Sequence, residues 1–410
     1  MKKILWICNT PLPEIQKEVG VRNYNESWLI GISNQLRKIE DLDFHYAFPQ
    51  NKYRKTLNKR IDGINFWGFY NCHKNSYKIE NQSIQILELL ISKIDPDIIH
   101  IFGTELPHSL ECINSISDKS KVIVSLQGLV SEIAKVYVRG IPFPDRLLGG
   151  FQNGRYQCLL TEQYEFYKRG INEKKILSTV NSVIGRTDWD KRCVKQININ
   201  CQYYSCNETL RDTFYDGTWD IENIQKYSIF VSQGNYPVKG LHVLIEALPL
   251  IKRRFPEVMV YIAGNKSFLE LKTSYGRYIK KILRKYSVEE NFVFLGYQTA
   301  EQIRQSLMKA HVMLMPSLIE NSPNSIGEAM LIGTPVVASR VGGIPSILHD
   351  GTEGYLYSCM NTKELARRVN RIFQSDNLAL RFSRNGRKIA GNIYDFQNNI
   401  EQLLSIYNQL

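Results

Sequence analysis

Short runs of Ile, Val, Leu and Phe recur along the chain, separated by longer stretches in which apolar residues return every three or four positions. Unbroken apolar runs suit strands buried on both faces, and three-and-four spacing suits helices laid over them. The pattern predicts parallel sheets wrapped by helices, an α/β fold. In the first half the strands are read at KILWICN, DFHYAF, DIIHIFG, KVIVSLQ and SVIGRT. In the second half they fall at YSIFVSQG, VMVYIAG, NFVFLG, VMLMPS, PVVAS and EGYLYS, with helices such as LHVLIEALPLIKRRFP and TAEQIRQSLMKAH between them.

Two successive arrays of this kind predict two Rossmann-like, doubly wound domains facing a central cleft, with ligands outside the carboxyl ends of the strands. A length of 410 residues fits two cores better than one. Between the arrays lies the polar, aromatic stretch YYSCNETLRDTFYDGTWDIENIQKY, whose Asp-Gly turn signal places the junction near Asp216. The expected domains are 1–215 and 216–395. A last helix, 396–410, carries Phe396, Ile400, Leu403, Leu404 and Tyr407 on one face and is expected to dock back on the first domain.

Composition narrows the class. Hydrophobic residues make up 43% and charged residues 22%, as in soluble globular proteins. No apolar run approaches the ~18 residues of a membrane-spanning helix. The N-terminus MKKILWICNTPLPE lacks a signal-peptide cleavage pattern and reads as a first strand. The eight cysteines form no CxxC pair and no Cys/His grouping at zinc spacing, so a reducing cytoplasm and no structural metal are expected. The net charge of +12 has one local excess, NKYRKTLNKR, with Lys52, Arg54, Lys55, Lys59 and Arg60. This is either a solvated loop or face, or a contact for anionic lipid or acidic glycan. No nucleic-acid motif accompanies it.

Two absences prune the chemistry: there is neither GxxxxGK[ST] nor GxGxxG after the first strand, so ATP hydrolysis and nicotinamide chemistry lose their usual support. Instead Gly234, Gly264, Gly296, Gly342 and Gly343 follow successive strand ends, where backbone approaches a ligand or turns into a helix. In ENSPNSIGEAMLIGTPVV, Ser325 followed by Glu328 has the capping-box pattern of a helix start, with Glu320 in the loop above the preceding strand. The amides around Asn324, Ser325 and Ile326 can hold a diphosphate, aided by the helix dipole. Each carboxylate has a structural alternative: Glu328 as a capping group, Glu320 as a loop charge. Lys239, next to Gly240 and ahead of a helix, can neutralise a leaving phosphate or simply snorkel at the surface.

Those residues resemble the retaining glycosyltransferases of family 4, which have the two-domain GT-B architecture. That family carries two glutamates separated by seven intervening residues, then Ala and a small-Gly-x-Pro-Val-Val run. Here Glu320 and Glu328 precede Ala329, Gly333, Pro335, Val336 and Val337, with Pro316 and Ser317 ahead of them. The likeness continues through Lys239-Gly240, FLGYQTAEQI and VGGIPSILHDGTEGYLY, over residues 227–410. In the first half DPDIIHIFGTE, KVIVSLQGLVS, VIGRTDWDK and YYSCNETLR look like acceptor-domain segments of bacterial polysaccharide-assembly members.

The resemblance implies that Glu320 and Lys239 serve the reacting sugar and the diphosphate, and that Glu328 holds the ribose. Asn324, Ser325, Gly234, Gly342 and Gly343 would line the donor, with Tyr297 near the base and Gly20 facing the phosphate from the other domain. Gln127 and Arg186 would lie on the acceptor or sugar side. No cofactor or metal is implied, positive groups and helix amides taking the cation's place. The implied reaction moves a hexose-type unit from a nucleoside-diphosphate sugar to a glycan or lipid-linked acceptor in cell-surface polysaccharide synthesis. It would take place in the cytoplasm or peripherally on the inner membrane face. A nucleotide-sugar epimerase of the same fold and a non-catalytic subunit of a polysaccharide-assembly complex are the alternatives. Three positions depart from the family. Gln233 and Gly234 stand where many members have Arg, a contact that Arg186 or Arg22 would have to replace. Gln127 stands for His, and Ser346 stands for Glu in the Gly-Gly-x-Pro-Glu run.

Overall fold

The computed structural model describes residues 2–21, 29–71, 73, 75–152, 155–264, 269 and 273–410. The strands, in chain order, are β1 (Lys2–Ile7), β2 (Leu42–Gln50), β3 (Leu57–Ile61), β4 (Ile64–Tyr70), β5 (Ile98–Phe102), β6 (Val122–Ser125), β7 (Gly150–Gln152), β8 (Arg155–Gln157), β9 (Ser182–Gly185), β10 (Gln202–Ser205), β11 (Gln225–Val231), β12 (Met259–Ala263), β13 (Phe292–Gly296), β14 (Ala310–Met315), β15 (Val336–Ser339) and β16 (Gly354–Tyr357). They and their helices form two compact units, one of residues 1–132, 165–209 and 394–410, the other of 133–164 and 210–393.

The first unit holds an eight-stranded sheet in the order β10-β9-β6-β5-β1-β2-β4-β3. All neighbours run parallel except the edge pair β3 and β4. Period-two alternation sends successive side chains of β1 to opposite faces, and both faces are covered. Leu5 and Ile7 pack with Leu87 and Leu90 of the helix Asn81–Ile94. Ile4 and Trp6 pack on the other side with Leu403 and Tyr407 of the helix Phe396–Gln409. The apolar face expected on the last helix therefore buries in the first unit's core.

The second unit holds a six-stranded parallel sheet, β13-β12-β11-β14-β15-β16. Its first strand in sequence lies inside the sheet, so the winding reverses between β11 and β14. In open α/β sheets the loops leaving the strands on either side of such a reversal are where ligands bind. A separate two-stranded hairpin, β7 and β8, also belongs to this unit. Among the described residues no helix is long and apolar enough to cross a membrane.

Candidate functional site

The site grows from the two loops at that reversal. After β11 the chain enters a 3-10 turn, Pro237–Lys239, and then passes through Gly240 into the helix Leu241–Lys252. Gly240 has φ +69°, and a Cβ there would meet the Pro316 carbonyl oxygen at 1.9 Å. Only glycine lets this turn lie against the loop after β14. A backbone bond from Leu318 N–H to Val238 O, 2.7 Å, closes the seam.

Lys239 and Glu320 meet across it. Lys239 Nζ donates to Glu320 Oε1 at 2.7 Å, and Ser317 Oγ donates to the same oxygen at 2.7 Å. The side chains are only 17% and 13% exposed, so Lys239 is not a snorkelling surface lysine and Glu320 is not an ordinary loop charge. Burial by itself would pull the ammonium down, but the Glu320 charge and the Tyr236 hydroxyl outweigh it and hold Lys239 above its ordinary pKa. Both of these bonds fall on Oε1 and leave Oε2 without a hydrogen bond or ion pair among the described residues.

The third loop, after β15, brings the glycine pair. Gly343 N–H donates to Glu320 O at 3.0 Å. A Cβ on Gly342, at φ +51°, would stand 1.9 Å from that same carbonyl oxygen. The pair thus pins the main chain of Glu320. Ser346, in place of the family's Glu, closes the 3-10 turn Ile344–Ser346.

Glu328 corrects the capping-box expectation. The helix runs Asn324–Ile332 with Pro323 at its N-cap and no side-chain cap, so Ser325 is the second helical residue rather than the cap. Proline fixes an extended entry two positions earlier than a serine cap at 325 would, which leaves Glu328 too far along to reach back. Its carboxylate instead accepts from Arg211 Nη2 at 2.7 Å. Arg211 was not foreseen as a site residue: it lies in the junction segment, at the end of the YYSCNETLR stretch likened to the acceptor domain. Asn324 and Ser325 do head this nine-residue helix.

Gly234 packs against Leu241 and Ile262, where a Cβ would come within 3.0 Å and 3.3 Å of their side chains. Tyr297 follows the edge strand β13 and is exposed, away from Lys239 and Glu320 in strand order. The remaining candidates belong to the first unit. Gly20 has φ +74° beside Lys52. Arg186 Nη1 and Gln127 Nε2 donate to the two carboxylate oxygens of Glu208, at 2.5 Å and 3.0 Å, so both are spoken for by an acid that the motif reading missed. Arg22 lies outside the described residues.

The conserved pattern described as Glycosyl transferases group 1 matches residues 216–389. That stretch contains the whole Lys239, Glu320 and Glu328 arrangement. Over that stretch the chain is similar to the group 1 glycosyl transferases, and its fold is GT-B. Spore coat protein SA of Bacillus subtilis is 28% identical over 175 residues, 42% of this chain and 46% of that protein. An uncharacterized glycosyltransferase of Methanocaldococcus jannaschii is 27% identical over 187 residues, 46% of each. The chain thus spans about half the length of these curated relatives in the matched regions. The GT-B architecture extends further: Anabaena Alr3699/HepE, solved in complex with UDP-glucose, superposes with a TM-score of 0.71 at 16% identity, covering 100% of both chains.

Proposed function

We propose that the chain is a retaining glycosyltransferase moving a hexose-type unit from a nucleoside-diphosphate sugar to a glycan or lipid-linked glycan. The observation that carries this reading is the buried Lys239–Glu320–Ser317 contact at the winding reversal, beside the start of the helix Asn324–Ile332. An ammonium held charged next to a helix N-terminus is suited to a leaving diphosphate, whose negative charge grows as the glycosidic bond breaks. Glu320, with Oε1 anchored twice and Oε2 not bonded among the described residues, is placed to accept a donor-sugar hydroxyl near the reacting carbon. Glu328, steadied by Arg211, is suited to the ribose hydroxyls. The solved UDP-glucose complex of a protein with the same fold supports a nucleotide sugar as donor.

Retention would follow from attack on the face the diphosphate leaves, with the departing oxygen taking the acceptor's proton. The two glutamates are therefore not a glycosidase acid and nucleophile pair. Gln127 and Arg186, both tied to Glu208, are proposed to present the acceptor. The proposed setting is cytoplasmic, with the acceptor reached at the inner membrane face.

Glu320→Gln tests the reading, because the amide oxygen still accepts from Lys239 and Ser317. Transfer of labelled sugar is expected to fall by about 10²-fold or more, with a smaller drop in melting temperature than an alanine causes because both hydrogen bonds are kept. Glu320→Ala also removes activity, and by stranding a buried ammonium it costs on the order of 3 kcal/mol of stability. Wild-type turnover in the Gln variant would refute the assignment. Release of a free epimerised nucleotide sugar without acceptor would replace the transferase by an epimerase.

A further inference from the structure

Four large apolar side chains sit exposed within one short stretch of the second unit: Phe143 (61%), Leu147 (45%), Leu148 (54%) and Tyr156 (46%). Soluble surfaces seldom gather apolar groups so closely without a use for them. The display is built rather than loose. Tyr156 Oη donates to Leu147 O at 2.7 Å and accepts from Gly149 N–H at 2.9 Å. The short helix Phe143–Leu147 is clamped onto the helix Ser274–Tyr286, since Lys281 Nζ bonds both oxygens of buried Asp145 at 2.9 Å and Arg277 Nη2 donates to Leu148 O at 3.1 Å.

The clamping helix is two-faced. Tyr275, Tyr278, Ile279, Ile282 and Leu283 are buried, while its outward positions are Arg277, Lys280, Lys281, Arg284 and Lys285 with no acidic residue among them. Asp145 occupies Lys281, and Glu289 lies 3.4 Å from Arg284. Lys280 and Lys285 have no carboxylate at ion-pair distance among the described residues, although Lys285 lies over the Tyr286 ring at 5.1 Å and, at longer range, partly offsets the burial that raises the Glu246 carboxyl. Exposed apolar side chains beside outward-facing cations match the edge of an anionic bilayer, where the apolar groups enter the headgroup region and the cations meet lipid charge. A second copy of the chain fits worse, because a two-fold contact would bring two cationic faces together.

We infer that this surface, Phe143, Leu147, Leu148 and Tyr156 with Lys280 and Lys285, seats the protein on an anionic membrane. The inference deepens the proposed reaction by naming where a lipid-linked acceptor is met. It assigns the contact to the second unit rather than to the basic run at Lys52.

The test is flotation of the full chain with phosphatidylglycerol-containing vesicles at low and high salt, with nucleoside-diphosphate calorimetry on the same samples. Wild type is expected to float with anionic vesicles and much less with pure phosphatidylcholine. The triple variant Phe143→Ser, Leu147→Ser, Leu148→Ser should partition at least about tenfold less at either salt. Lys280→Ser with Lys285→Ser should lose about tenfold at low salt and little at high salt. Nucleotide binding should be unchanged in both, with melting curves confirming the fold. Failure of wild type to float, or undiminished flotation of the triple variant, overturns the membrane surface and leaves the donor reading standing. Self-association abolished by the triple variant assigns the patch to a second copy and overturns it as well. A loss confined to Lys52→Ser, Arg54→Ser, Lys55→Ser moves the contact to the basic run. Absent nucleotide binding in wild type that still floats strikes the donor reading alone.

Discussion

Lys239 and Glu320 stand 81 residues apart in sequence and 2.7 Å apart in space. Each was visible as a candidate from its own motif, Lys-Gly before a helix and Glu after a strand, but their partnership was not. Nothing local ties a lysine after one strand to an acid after another; the sheet order does. The same holds for Glu328, whose spacing to Ser325 suggested a cap and whose actual partner is Arg211. Gly342 shows how tightly the main chain around Glu320 is constrained. A methyl group there must displace the Glu320 carbonyl, at 1.9 Å, and also hold φ near +51°. Gly342→Ala is expected to cost about 2 kcal/mol or more and to weaken nucleotide binding, read by thermal melting and calorimetry. Gly343 has φ −88°, a conformation open to any residue, so Gly343→Ala should shift the melting temperature far less.

The strands read from sequence correspond to β1, β2, β5, β6, β9 and β11 to β16. Those missed include β3 and β10, the two edges of the larger sheet, where one flank meets solvent and the apolar run gives way to LNKRI and QYYS. Edge strands carry charge and polarity that discourage pairing with other chains, so an apolar-run criterion passes over them. The basic run follows from this: Lys59 lies on β3 and bonds Glu18 at 2.6 Å, while Lys52 donates to the Glu18 carbonyl at 2.8 Å. The last helix was legible because its apolar positions keep helical spacing, but its polar anchor was not. Tyr407 Oη accepts from Trp6 Nε1 at 2.8 Å. Trp6 can only donate, so the tyrosine proton goes to His100 Nδ1 at 2.6 Å and the other ring nitrogen faces Ser125 Oγ. Tyr407→Phe leaves two buried groups unsatisfied and is expected to cost roughly 2–3 kcal/mol in urea denaturation, with Trp6 fluorescence as the readout.

At the scale of the molecule, acid should weaken both units together. Burial pushes His100 and His108 of the first unit down to about 3, and His242 and His311 of the second down to about 4. Below the ordinary histidine range the unfolded chain takes up these protons and the folded chain does not. Stability is therefore lost as pH falls from near 6.5 toward those values, by up to about 1.4 kcal/mol per pH unit for each histidine. Glu105 opposes this: burial raises its carboxyl to about 7, so its contribution is full below about 4.5 and is lost as pH rises through 7. Denaturation midpoints measured from pH 7.5 to 4.5 should decline, and Glu105→Gln should make the decline steeper. A flat profile would contradict the burial of neutral histidines.

What the sequence by itself determined is what local pattern can encode. Apolar run length and helical spacing specified an α/β fold of two arrays, and residue spacing after the strands singled out Lys239, Glu320, Gly342 and Gly343. Only the tertiary structure decided which distant pieces share a core. Residues 133–164 precede the junction yet belong to the second unit, where His242 Nε2 bonds the Arg139 carbonyl at 3.1 Å and Lys281 holds Asp145. Residues 394–410 close the chain yet belong to the first. Such choices depend on buried contacts between residues a hundred or more positions apart. Their energies belong to pairs, and no window along the chain contains both members.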